Sequence, residues 1–275
     1  PRETVEVVEP IEFSHPLSQS LAAWRPLQRM TIALHMLGDY ERELQYAELA
    51  LERFPDVGYL HYAKARALAA MGLAAEATEV IDACLPVRLR EGEVRVNLNL
   101  GSVMTATACE LRAHGHRRAS DDMAARAVAW WKREASESDI EKRESEDLFD
   151  QANATCVAGR WDEAREPFEE LKERGWRPIQ VAGALGVIAA RTGNHEEARQ
   201  IFDDLLDPGL PGFAGDRSYW RAAIAANLGE KDRAVELLAE AFSQGRFYSI
   251  DLHSNVNLEP LWDYPPFQEL IEPKG

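Results

Sequence analysis

Cysteine and histidine carry the greatest chemical reach in this chain, and their spacing sets what reactions it could perform. Cys84, Cys109 and Cys156 stand far apart, and none has a general base placed to generate a thiolate nucleophile. They also form no disulfide framework, and each falls in a helical pattern as a small core residue. His114-Gly115-His116 sets two imidazoles two residues apart, as a metal pair would, but no third ligand of suitable spacing follows. A turn between helices explains that triplet better. Paired acids occur throughout, so none is singled out for general acid–base work. There is no glycine-rich phosphate loop with its lysine, no zinc-binding His–Glu helix and no nucleophile elbow. The residues predict no catalytic group, no metal and no cofactor.

The elements that would position any site are repeated ones. Six helical runs each end in a small turn around glycine: Leu37-Gly38-Asp39-Tyr40, Met71-Gly72-Leu73-Ala74, His114-Gly115-His116-Arg117, Ala158-Gly159-Arg160-Trp161, Thr192-Gly193-Asn194-His195 and Leu228-Gly229-Glu230-Lys231. Glycine supplies the left-handed backbone that closes a helix, and acids next suit the positive start of the following one. The glycines are 34, 43, 44, 34 and 36 residues apart, and the short spacings match a 34-residue helix–turn–helix unit.

Columns of small residues recur around the glycines. Seven positions before stand Thr31, Ala65, Ala108, Ala152, Gly186 and Ala222, and five after stand Glu43, Ala77, Ser120, Ala164, Ala198 and Ala234. Twelve after stand Ala50, Cys84, Ala127, Leu171, Leu205 and Ala241. Small residues let paired helices approach closely, while Phe168, Phe202 and Leu238 fill the gaps between them. Glu43 breaks its column, and Pro167 sits inside a second helix, where it should remove a hydrogen bond and bend it.

These columns, the aromatics Tyr40 and Trp161 after the turns, and Pro55 closing a second helix resemble the tetratricopeptide repeat family. The resemblance runs from about Trp24 almost to the end. It implies an all-α fold: a right-handed α-α superhelix, or solenoid, of about six such hairpins with a C-terminal cap. Residues 1–16 read as an extended lead-in, 17–246 as the solenoid and 247–275 as the cap, to which Phe247, Tyr248, Leu252, Leu258, Trp262 and Phe267 lend apolar surface. Pro86–Glu93 reads as a connection, Lys132–Asp147 as a solvated charge run and Asp207–Asp216 as a loop.

The end of the chain, Leu228–Val235, then Leu258-Glu259-Pro260-Leu261, then Tyr264–Leu270, resembles the close of tetratricopeptide regions in large bacterial signalling proteins. There such regions follow a kinase, a winged-helix or a TolB-like domain. The likeness implies a non-catalytic, regulatory protein-interaction scaffold, with a peptide or small-ligand sensor as the alternative. The sequence opens on Pro1 and reads as an excerpt of a longer protein, with room for a targeting or membrane segment ahead of it.

In that family the first helix of each hairpin lines a concave groove. The helical face thirteen, ten, six and three positions before each glycine then supplies the partner-binding residues: Arg25, Gln28, His35, Tyr59, Tyr62, Arg66, Thr105, Arg112, Phe149, Asn153, Gln180 and Tyr219. Aromatics and arginines suit an interface, with about half of these residues expected to pack against the neighbouring hairpin instead. Arg25, Arg66 and Arg112 would form a cationic strip for an acidic peptide, and charge reversal at Arg66 and Arg112 would weaken capture without unfolding.

With 31 basic and 47 acidic residues the net charge is −16. Such a field disfavours nucleic acid and anionic lipid and favours solubility. The partner is therefore expected to be a protein or peptide, met in the cytoplasm, or in the periplasm if a transmembrane segment precedes Pro1. Oligomeric state is not written in the sequence.

Overall fold

The structure, a computed structural model, describes residues 24–55, 57–84, 100–137, 145–207 and 211–273 together with residues 3 and 209, without the side chains of 24, 25, 84 and 134–137. The predicted lead-in, apart from residue 3, and the connection Pro86–Glu93 lie outside the described residues. The described residues are helical and contain no strand. The helices are α1 (Trp24–Met36), α2 (Tyr40–Arg53), α3 (Gly58–Ala70), α4 (Ala74–Cys84), α5 (Leu100–Ala113), α6 (Arg117–Glu137) and α7 (Ser145–Val157). They continue as α8 (Trp161–Glu173), α9 (Pro178–Arg191), α10 (His195–Asp204), α11 (Ala214–Asn227), α12 (Lys231–Ser243), a 3-10 helix (Val256–Leu261) and α13 (Pro265–Ile271).

Each odd-numbered helix from α1 to α11 closes through its predicted glycine, with φ between 72° at Gly38 and 86° at Gly229. At every one of the six turns the glycine N–H donates to the carbonyl three residues back. The next N–H donates to the carbonyl five residues back, as in Asp39 to Leu34 at 2.9 Å and Glu230 to Ala225 at 2.9 Å. This pair of hydrogen bonds satisfies carbonyls that the helix end would leave orphaned. The partner helix starts at once, aided by Asp39 and Asn194, whose side chains accept from the N–H of Arg42 and of Glu197.

The aligned columns are the contact faces. Every residue seven before and five after a glycine is buried, as is every described side chain twelve after. Ser120 shows how closely the helices pair: its hydroxyl donates 2.7 Å to the carbonyl of Ala108 on the partner helix. α8 runs on through Pro167, whose ring leaves one carbonyl without its helical donor. α11 begins at Ala214, three residues inside the predicted loop, and α6 carries the charge run helically to Glu137.

The chain divides within α6 into two compact units, one to Met123 with residues 273–275, the other Ala124–Glu272. In unit 1, α3 packs on α1 and α2, and α5 on α3 and α4. In unit 2, α9 packs on α8 and α11 on α9 and α10. Gly183 and Gly186 permit the α9–α11 approach, since a Cβ at either would collide with Trp220 or Ile224. The chain beyond Gly245 folds back within unit 2: the 3-10 helix packs on α11 and α13 on α12. Leu252, Val256, Leu258, Leu261 and Phe267 are all buried there. Phe247, expected among the capping residues, is instead 89% exposed. It lies just past the glycine turn that ends α12, before the chain reaches α11.

Candidate functional site

Unit 1 buries a charge cluster that starts from the broken column. Glu43 on α2 occupies the place that alanine or serine fills in the other hairpins, so its carboxylate lies between helices with no exposed surface. Arg66 on α3, 1% exposed, answers it with Nε 2.9 Å from Oε1 and a second, shorter bond from Nη2. His35 on α1 faces Oε2 of Glu43 at 2.7 Å through Nδ1 and Oε1 of Glu110 at 3.1 Å through Nε2. His114 meets the same Glu110 oxygen at 3.2 Å, and Tyr40 packs between the two imidazoles with ring centres 5.1 and 5.3 Å away.

Burial, the largest influence on His35, opposes its charge, but the hydrogen bonds to Glu110 and Glu43 prevail and hold its pKa above the ordinary value. Burial likewise opposes the Arg66 charge, and Glu43 overcomes it. Burial pushes the Tyr40 phenol up to about 12, with Glu110 and Glu43 adding to the effect. As an imidazolium, His35 donates through both nitrogens, to Glu43 and to Glu110. The cluster ties α1, α2, α3 and α5 together.

A pH dependence follows. An unfolded histidine titrates near ~6.5, and His35 titrates higher in the fold. Its stabilising contribution is therefore complete below the unfolded value and disappears as pH rises through the folded one. The unfolding free energy of the wild-type protein in urea should fall across that interval, and His35→Gln should flatten the fall. Superimposable pH profiles would mean the imidazole is neutral in the fold.

The His116 ring lies against Gly72, while His114 bonds Glu110. Cys156 is buried, which drives its thiol far above the ordinary range, against a smaller downward pull from Arg191. Such a sulfur stays protonated.

In unit 2 the polar contacts gather where residues 246–262 cross α9 and α11. Asp216 at the start of α11 pairs with Arg246, whose guanidinium lies 3.6 Å from the centre of the Tyr219 ring. Gln180 on α9 donates to the other Asp216 oxygen at 3.2 Å. At the far end of the same helices, Asn227 donates to the carbonyl of Asn257 at 2.7 Å and Arg191 to that of Val256 at 3.0 Å. Arg191 also pairs with Glu259 at 3.1 Å and lies over the Trp161 ring.

The predicted groove residues separate into two groups. Gln28, Tyr62, Thr105, Arg112, Phe149, Asn153 and Gln180 are half-buried on first helices. His35, Tyr59, Arg66 and Tyr219 are buried and line no open surface. The first three are consumed by packing and by the charge cluster, and Tyr219 is covered by Arg246. The cationic strip loses its middle member, because Arg66 turns inward and is neutralised by Glu43; the side chain of Arg25 lies outside the described residues. The structure brings Tyr59 and Tyr62 together at 5.9 Å, and Phe149 against Trp176 at 5.0 Å. The sequence reading missed Glu110, Arg191, Asp216, Asn227 and Arg246. Only Glu43 had announced itself, as the one charged residue in a column of small ones. No protein-family model matches the chain, and no curated protein is significantly similar to it.

Proposed function

We propose that this chain is a non-catalytic protein-interaction module of tetratricopeptide type, a right-handed superhelix that takes a peptide or protein segment on the first-helix faces of its hairpins. The observation that supports this reading is the sixfold recurrence of one glycine-closed hairpin with buried small-residue columns. That arrangement spends the column face of each helix on stacking, as repeat units must. It leaves Tyr62 and Asn153 half-buried on first helices, an aromatic and an amide group suited to a polypeptide. No helix of the described residues is long and apolar enough to cross a membrane.

Photo-crosslinking in cells of the source organism tests the proposal. A benzophenone amino acid at position 62 or 153 is expected to trap one discrete protein, whereas the same group at Glu236, exposed on α12, is expected not to. Equal trapping from all three positions, or trapping from position 236 alone, would discard a first-helix binding face.

A further inference from the structure

We infer that the α9–α11 face of unit 2 is a peptide-gripping surface occupied in cis by residues 246–262, and that it accepts in trans a segment of the same chemistry. This deepens the proposed function and rests on it for the use of first helices. The contacts are of the kind that recognises a polypeptide rather than merely filling a core. Asn227 and Arg191, on neighbouring first helices, hold the main-chain carbonyls of two consecutive residues, Asn257 and Val256. Bonds to main chain are indifferent to sequence, so they fix the path of a bound segment. Sequence is read ten residues earlier, where Asp216, steadied by Gln180, and the Tyr219 ring clasp the Arg246 guanidinium.

The occupant is unevenly attached. It leaves α12 through Gly245, whose φ of 88° reverses the chain onto α11. Arg246 Nε is buried without a hydrogen-bond partner among the described residues, and the next residue, Phe247, is turned to solvent. Tight anchoring comes later, at Leu252, Val256 and Leu258. Displacement is favourable only if this apolar burial is handed over rather than lost. The ligand class is therefore a polypeptide with an arginine and, six, ten and twelve positions further on, apolar side chains. A merely basic peptide lacks the second half of the match.

An occluded face binds with an apparent affinity reduced by its open fraction. The probe is a fluorescein-labelled synthetic peptide of residues 244–262, titrated by anisotropy into the full chain and into full-length Arg246→Glu, which sets like charge against Asp216. Binding to the variant is expected to be saturable and at least about tenfold tighter than to wild type. A peptide carrying glutamate in place of its arginine is expected to bind neither. Absence of saturable binding to a folded Arg246→Glu protein, or equal binding of both peptides, would overturn the inference. Should the variant fail to fold, hydrogen exchange on the wild type decides. Amides of residues 247–255 are expected to exchange at least about tenfold faster than those of 222–226, and exchange of both sets in one cooperative step would overturn it. Neither readout uses an outside partner, so failure here leaves the crosslinking result standing, and the reverse.

Discussion

Glu43→Ala is expected to cost unit 1 about 3–5 kcal/mol, the range for breaking a buried ion pair from one side. The carboxylate balances two cations. Without it Arg66, 1% exposed, keeps a charge that it cannot shed, while His35 loses one of the two carboxylates it bonds. A domain stable by roughly 5–15 kcal/mol loses a large part of its margin in this way. Urea unfolding followed by amide exchange in α1 to α5 measures the loss. Replacing both partners, Glu43→Leu with Arg66→Met, should recover most of it, because a buried pair exchanged for apolar side chains is often neutral. A cost below about 1 kcal/mol for Glu43→Ala would place the cluster in water, as for exposed pairs. The same geometry changes the meaning of charge reversal at Arg66. Read as a groove residue it would probe partner capture, but a glutamate there would face Glu43 inside the fold and unfold unit 1.

The second large effect is expected in unit 2. Phe168→Ala should destabilise it by about 3–5 kcal/mol, from lost transfer energy plus an unfilled cavity. Phe168 has no exposed surface and meets the Phe149 ring edge-on at 5.7 Å, and Phe149 in turn packs on Trp176. Collapse around the vacancy is limited because the neighbouring columns are already small residues in contact. Leu49→Ala, at a side chain 43% exposed, serves as the contrast and should change stability by no more than about 0.5 kcal/mol. Chemical denaturation of the two variants side by side gives the comparison. Near-equal costs would mean that Phe168 is not enclosed.

How far the fold could be read in advance depended on how local each cause was. The six turns were legible because a helix closed by a left-handed residue has few alternatives to glycine, and all six glycines adopt that backbone. The contact columns were legible for a related reason. Close helix approach demands small side chains at a fixed offset from the turn, and every described side chain at those offsets is buried. The face assigned to partner binding was less secure. An offset of thirteen, ten, six or three places a residue on a helix face but does not say what lies opposite. For Tyr219 the opposing group is Arg246, and for Arg66 it is Glu43, 23 residues away.

The sequence by itself therefore determined the helices, their glycine closures and the columns on which they pair, because those follow from backbone geometry and side-chain size within one hairpin. Tertiary structure alone decided which polar residues meet. The His35–Glu110 bond spans 75 residues, and Arg191 reaches Glu259 across 68. Helical periodicity fixes the direction of a side chain from its own axis, whereas the partner depends on where a distant helix or the returning C-terminal segment lies. That placement also turned a predicted open face into one covered by the chain's own residues 246–262.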